Sequence, residues 1–394
     1  MIVEQDISNV RVGMYVLDIA FPKGQFHLTK ASWLESESVI EGLKNRGVQR
    51  LLIDMSKTRE ASVMMSQVIA APVVETITPS FAEQVARARV VFDESKNIQK
   101  KLFHAAKNGH ELDLASVNKV TDESIDMIFK NPDALSCVLN IRHKDEYLLE
   151  HSVAVSVLMT MFAFHMKLSK EIVSQLAIGA FLHDVGKIMI PDAILNKPGK
   201  LNDKEFAIMQ SHAMHSIKII RKTPGVSAIS HEVAALHHEK LNGEGYPNGI
   251  KGKEISMYGR MISICDIYDA LTSSRCYKEG YSQVKSFSIL RALAKENQLD
   301  EKLVDRFIQC LGVYPVGALV QLDSNRLAIV EGHNLQNPVR PRVKAFYRLD
   351  PKQFEVAQDI DLSAMETEHI VKCVRADEFD LDMEQIIEFL TYEG

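Results

Sequence analysis

Phe181-Leu-His-Asp-Val-Gly-Lys187 closes an apolar run, and its His183-Asp184 doublet decides how the surrounding chain is read. A neutral imidazole and a carboxylate at adjacent positions can hold one borderline metal, while the carboxylate's second oxygen reaches a neighbouring ion. Alone, such a dipeptide is weak, because a histidine at a helix end is more often a cap or a packed residue. Its company changes that. His151 lies upstream, His212 downstream, His237 and His238 are adjacent, and Asp266 follows in Ile-Cys-Asp-Ile-Tyr-Asp. These residues come from separate segments, as when a helical bundle points ligands inward from several helices.

Working outward, residues 146–166, 170–183, 203–222, 226–238, 256–272 and 282–296 each read as a helix with one apolar stripe, so a bundle of at least five is expected. Upstream, residues 10–17 alternate apolar and polar, Pro22-Lys-Gly turns, 35–46 reads as helix and 48–54 as strand, which makes a small α/β module. Residues 57–80, with Pro72 and Pro79 flanking a β-branched run, suit a connector. Helical periodicity starts at Phe81 and continues through 114–129 and 134–142, interrupted by the Asn131-Pro-Asp turn. After Gly312 the short runs 316–322, 326–331 and 343–347 read as strands, closed by a helix at 383–390. The fold class is therefore mainly α: a helical bundle at 131–311, a small α/β domain at 1–70, a helical linker at 71–130, and a β-rich appendage with a final helix at 312–394.

Composition narrows the function. A chain of 394 residues buries a sizeable core. Its formal net charge of −6 argues against general binding to DNA, RNA or anionic membranes, which needs a basic surface. The five cysteines are scattered and form no Cys-x-x-Cys clip, which fits a reducing cytoplasm. No signal peptide is visible, no apolar run reaches the roughly 20 residues of a membrane span, and 153–164 reads as a buried helix.

The motifs also resemble a known family, the HD-GYP phosphodiesterases of the HD superfamily of metal-dependent phosphohydrolases. The resemblance runs from about 145 to 278. It rests on Glu-His-Ser-Val at 150–153, His-Asp-Val-Gly-Lys at 183–187 and Ile-Leu-Asn-Lys-Pro-Gly-Lys-Leu at 194–201. Gln-Ser-His at 210–212, His-His-Glu-Lys-Leu-Asn-Gly-Glu-Gly-Tyr-Pro at 237–247 and Asp-Ile-Tyr-Asp-Ala-Leu-Thr-Ser-Ser-Arg at 266–275 continue it. The front module resembles the short accessory domain often found before HD-GYP domains.

The resemblance implies that His151, His183, Asp184 and Asp266 hold one divalent ion and that Asp184, His212, His237 and His238 hold a second, with Asp184 bridging. It places iron or manganese there, with nickel, cobalt and zinc also compatible with histidine and carboxylate ligands. His237 and His238 lie about 100° apart on an ideal helix, so both serve one site only if the helix ends there. His215 is assigned to packing or to a place behind the ligands, His231 is expected to face elsewhere, and His104, His143 and His165 are taken as structural. Tyr147 stands four residues before His151, where the three-metal branch of the family has glutamate, so two ions are expected.

On the substrate side, Lys187 is expected beside a phosphate, as a catalytic partner of Asp184. Tyr246 in the Gly243-Glu-Gly-Tyr-Pro247 loop, Arg275 and Lys278 are expected to contact base or phosphate. Cys276 departs from the family's usual proline. The implied reaction is in-line attack of a metal-bridging hydroxide on a cyclic dinucleotide, cyclic di-GMP first, giving pGpG and then GMP if cleavage continues. The rivals are 3',3'-cyclic GMP-AMP as substrate, a non-catalytic sensor or scaffold, and a triphosphohydrolase, which the Gly-Tyr-Pro loop disfavours. Signalling partners, diguanylate cyclases among them, and self-association stay open.

Overall fold

The computed structural model describes residues 2–21, 26–28, 31–34, 36–45, 47–58, 74–76, 81–140, 147–274, 280–334 and 336–392. The chain divides into two compact units, Met1–Ser80 and Phe81–Gly394.

In the first unit, β1 (Ile2–Asp6), β2 (Tyr15–Phe21), β3 (Phe26–Leu28), β4 (Ser32–Trp33), α1 (Glu37–Asn45), β5 (Arg50–Asp54) and β6 (Val74–Thr76) follow in order. An antiparallel sheet runs β1-β5-β2-β4, and β3 pairs with β6. Leu51 and Ile53 alternate inward on β5 and meet Val16, Ile19, Ile40 and Leu43 in a small core. The strand expected over 10–17 starts only at Tyr15, because the chain is still turning at Gly13, which has φ +92°. The Pro22-Lys-Gly turn and most of the expected connector lie outside the described residues.

The second unit opens with α2 (Phe81–Lys107), α3 (Leu114–Lys130) and α4 (Pro132–Val138). Asn131 closes α3 and caps α4, its side chain accepting from the Asp133 N–H at 3.0 Å, while Pro132 occupies the first turn, where no N–H is needed. The helix expected to run to Arg142 ends at Val138, and residues 141–146 lie outside the described set. Then come α5 (Tyr147–His165), α6 (Lys170–Leu182), the one-turn α7 (Asp192–Leu195), α8 (Asp203–Arg221), α9 (Ala228–Leu236), α10 (Met257–Thr272), α11 (Gln283–Lys295) and α12 (Glu301–Leu311). Instead of one apolar stripe, α5 is buried on every side from Glu150 to Ala163. Its neighbours α2, α6, α10 and α12 surround it, which makes it the central helix. Two stretches, Tyr147–His165 and Lys170–Met189, are long and apolar enough to cross a membrane, but most of each is buried inside the protein.

The C-terminal strands β7 (Leu319–Leu322), β8 (Arg326–Gly332), β9 (Arg342–Leu349), β10 (Lys352–Asp361) and β11 (Ile370–Val374) form an antiparallel sheet ordered β10-β9-β8-β7-β11, followed by α13 (Met383–Tyr392). Its inner residues, Val320, Ile329, Val330 and Phe346 among them, belong to the same core as the helices. Gly317 makes the join possible. At φ +83° it lies so close to α4 that an added Cβ would fall 2.6 Å from the Cys137 Cα.

Candidate metal centre

The helices end where the site begins. α6 stops at Leu182, leaving His183 as its cap, and residues 185–189 tighten into a 3-10 turn. Lys187 is therefore placed by that turn. Gly186 allows the turn to press on α8: an added Cβ would sit 2.2 Å from the His212 carbonyl oxygen, and the Gly186 N–H donates to Ser216 Oγ at 2.8 Å. α9 ends at Leu236, so His237 and His238 leave the helix together and turn to the same site. α5 and α10 bring His151 and Asp266 from the other side.

All seven expected ligand residues converge. The ligating atoms of Asp184, His212, His237 and His238 lie within 4.8 Å of one another, and so do those of His151, His183 and Asp266. Asp184 faces both groups. Its Oδ2 is 3.3 Å from His151 Nε2 and 3.3 Å from His183 Nε2, and its Oδ1 is 3.3 Å from His212 Nε2 and 3.8 Å from His237 Nε2. Asp266 does the same, with Oδ1 3.0 Å from His151 Nε2 and Oδ2 3.3 Å from His238 Nδ1, although the sequence reading gave it to one group only.

Four of the five rings are aimed by their other nitrogen. The Nδ1 atoms of His183, His212 and His237 lie 2.6, 2.6 and 2.7 Å from the carbonyl oxygens of Ala180, Met209 and Ala234, each three residues earlier. Donation from Nδ1–H to a carbonyl leaves Nε2 as a lone pair facing the pocket. His151 instead places Nδ1 2.7 Å from Asp269 Oδ2, and Ser273 Oγ donates to that same oxygen at 3.2 Å. The sequence reading gave Asp269 no role; its spacing of three from Asp266, which puts both on one face of α10, is the signal that could have found it.

The donor set fits divalent metals on two counts. His183 Nε2 and Asp184 Oδ1 are buried and make no hydrogen bond. Such an omission costs about 1–3 kcal/mol per group unless something else binds there. The protonation states of His237, His238, Asp184 and Asp266 also suit ligation. Burial pushes His237 well below the usual histidine range, helped by His238 and His183, and burial pushes His238 down to about 3. Burial alone would raise Asp184, but Lys187 and His183 beside it hold it well below the usual carboxylate range. Asp266 is likewise held low against burial by His151 and His238. His151 runs the other way: burial opposes its charge, yet Tyr147 and the carboxylates of Asp184, Asp266 and Asp269 raise it well above the ordinary value.

Lys187 is in contact with Asp184 through its ammonium group, and Asp184 keeps it charged despite burial. Tyr246 reaches the pocket, its ring 4.5 Å from that of His238, and burial raises its phenol so that it stays protonated at neutral pH. Tyr147 stacks on His151 with centroids 5.3 Å apart. Glu150 points elsewhere, to Lys96 at 3.4 Å. Arg275, Cys276 and Lys278, named from the sequence, lie outside the described residues, as do His143 and Glu146. His104, His165, His215 and His231 join neither ligand group.

A family model described as HD domain matches residues 135–303, and one described as a domain of unknown function (DUF3391) matches 2–117. Over 378 residues the chain is 33% identical to a cyclic di-GMP phosphodiesterase of Pseudomonas aeruginosa, covering 93% of this chain and 90% of that protein. Over 129 residues it is 41% identical to 3'3'-cGAMP-specific phosphodiesterase 2 of Vibrio cholerae, 32% of this chain and 24% of that one. Among solved structures, an HDG"Y"P protein from Bdellovibrio bacteriovorus aligns with a TM-score of 0.50 at 17% identity, covering 79% of this chain and 99% of that one. At such identity the last likeness speaks for the fold alone.

Proposed function

The chain belongs to the HD-GYP phosphodiesterases of the HD family, and from that premise we propose that it hydrolyses cyclic di-GMP to linear pGpG with two divalent ions, iron or manganese, in the cytoplasm. It is a metal-dependent phosphodiesterase of cyclic dinucleotides. The observation that carries the reading is the placement of Asp184, buried with one oxygen turned to each ligand group and one of them without a hydrogen bond.

When bound at the two ligand groups, a pair of divalent ions would supply an acidified water and positive charge for the phosphoryl oxygens. The chain's own residues do the rest. Three backbone-anchored imidazoles and one held by Asp269 keep lone pairs fixed, so little reorganisation is needed at reaction. The Lys187 ammonium stands beside Asp184, in reach of a phosphate docked there. The protonated Tyr246 hydroxyl can donate to phosphate or ribose. Tyr147 occupies, against His151, the position from which a carboxylate would be needed to recruit a third ion, which supports a count of two.

A second substrate, 3',3'-cyclic GMP-AMP, is the rival because a Vibrio cholerae enzyme named for it is 41% identical over 129 residues, the same local identity as a cyclic di-GMP phosphodiesterase of that organism over 133. Turnover of both dinucleotides side by side, with metal content measured on the same sample, separates the two. We expect a higher kcat/KM for cyclic di-GMP and two ions per chain. Preference for the mixed dinucleotide transfers the assignment, a third fully occupied ion refutes the count, and inertness toward both under anaerobic iron and manganese refutes the enzyme.

A further inference from the structure

Phe206 stands 48% exposed in the first turns of α8, yet its ring meets Tyr246 edge-on, with centroids 6.4 Å apart and planes at 82°. Tyr246 in turn lies 4.5 Å from the His238 ring and 6.1 Å from the His212 ring. A row of rings thus leads from the ligand pocket to solvent, with Phe206 at its outer end. A large apolar ring left in water beside a polar pocket is a surface that a ligand gains by covering.

Its position is built. Asn202 and Glu205 form a reciprocal capping box at the start of α8, with Glu205 N–H to Asn202 Oδ1 at 3.0 Å and Asn202 N–H to Glu205 Oε2 at 2.8 Å. Lys197 closes on the same Glu205 carboxylate at 2.8 and 2.6 Å. The segment Ile-Leu-Asn-Lys-Pro-Gly-Lys-Leu at 194–201 therefore braces α8, since its Lys197 pins the helix start from which the very next residue, Phe206, projects.

We propose that Phe206 is the face on which one purine base of the cyclic dinucleotide stacks while the adjoining phosphate lies at the histidine–aspartate pocket. This rests on the function proposed above. The direction of the row, from phosphate site through Tyr246 to an open aromatic face, follows the order of groups within a nucleotide. Because every base has a π-face, the contact contributes affinity and does not select between guanine and adenine.

The test compares Phe206→Ala and Phe206→Trp with the native protein in steady-state hydrolysis of cyclic di-GMP and of methyl p-nitrophenyl phosphate, a diester without a base, with metal content measured for each. Phe206→Ala is expected to raise KM for the dinucleotide about tenfold with kcat within about twofold of the native value. Phe206→Trp is expected to restore KM, and the small diester and the metal content should not change. An unaltered KM in Phe206→Ala overturns the proposal, as does equal loss on both substrates with loss of metal, which marks a structural role. A native protein that cleaves the small diester but no cyclic dinucleotide overturns the functional reading and the stacking face together. Dinucleotide turnover indifferent to the Phe206 variants overturns the stacking face alone.

Discussion

Where the pocket around Asp184 leaves buried atoms without partners, the polar cluster on the C-terminal sheet closes on itself. Lys344 on β9 lies 3.2 Å from Glu331 on β8 and 3.1 Å from Asp359 on β10, a cation between two carboxylates. Nearby, His333 places Nδ1 3.3 Å from Asp133 and donates through Nε2 to the Leu311 carbonyl at 2.8 Å, tying the sheet to α4 and α12. Both regions gather titratable groups, but in the Asp184 pocket buried lone pairs on His183 and Asp184 find no hydrogen-bond donor, whereas on the sheet the Lys344 ammonium reaches both carboxylates. Those unmet lone pairs, and not the number of charged residues, mark a site that needs something from outside.

The sharpest way to break this contrast is Asp184→Ala. Hydrolysis is expected to fall at least about a thousandfold and bound metal to drop with it, since the residue serves both ligand groups. Glu331→Gln, followed by the same rate assay and metal analysis, is expected to change neither. Retained activity in the Asp184 variant, or metal loss in the Glu331 variant, erases the distinction.

Metal removal comes next. Chelation should lower the thermal midpoint of the native protein and re-addition should restore it, because a ligand at 100 to 1,000 times its Kd stabilises by about 3–4 kcal/mol. Asp184→Ala should show no such response in the same melting experiment.

Asp269→Asn sharpens the pocket side at smaller cost. It keeps the shape but weakens the hold on His151 Nδ1, so metal affinity should fall about 10- to 100-fold, with rate recovering in excess metal. Loss of rate that excess metal does not repair would give Asp269 a different job.

The smallest effect belongs to His333→Gln, which should leave hydrolysis untouched and cost about 0.5–1 kcal/mol of stability at mildly acidic pH. Burial opposes charge on His333, but Asp133 and the Leu311 carbonyl raise it above the ordinary value. A raised histidine contributes fully below its unfolded value of about 6.5, and the contribution is lost as pH rises through the folded value. The difference between native and variant proteins in denaturation should therefore shrink across that window to the part due to the Leu311 hydrogen bond and packing. A difference that does not change with pH would contradict the assigned ion pair.

Much of this architecture could be read from residue spacing, but not all of it. The six expected bundle helices end within a residue or two of their expected limits because caps such as Ser227, Ser256 and Ser282 stand at their starts. α12 passed unnoticed although Leu303, Val304, Phe307, Ile308 and Leu311 repeat at helical spacing, and these are the residues it buries. β10 carries few inward residues and is mostly exposed, so its pattern is too weak to read, and β11 has the same defect. At the site, the seven residues named from motifs meet in one pocket. What holds them there was not legible: Asp269 looks like any helix carboxylate until its contact with His151 is seen. The second oxygen of Asp266 depends on α10 lying across the ends of α9 and α5. Phe206 reads as an ordinary apolar position until it is found half in water.

The carbonyls of Ala180, Met209 and Ala234 that aim the rings of His183, His212 and His237 belong to the main chain. Any amino acid at those positions offers the same acceptor, so no single base change can delete it. His151 alone among these four depends on a side chain, Asp269, for its orientation. Mutational fragility in the layer behind the ligands is thus concentrated at one codon, while the other three positions are free to drift as far as packing allows.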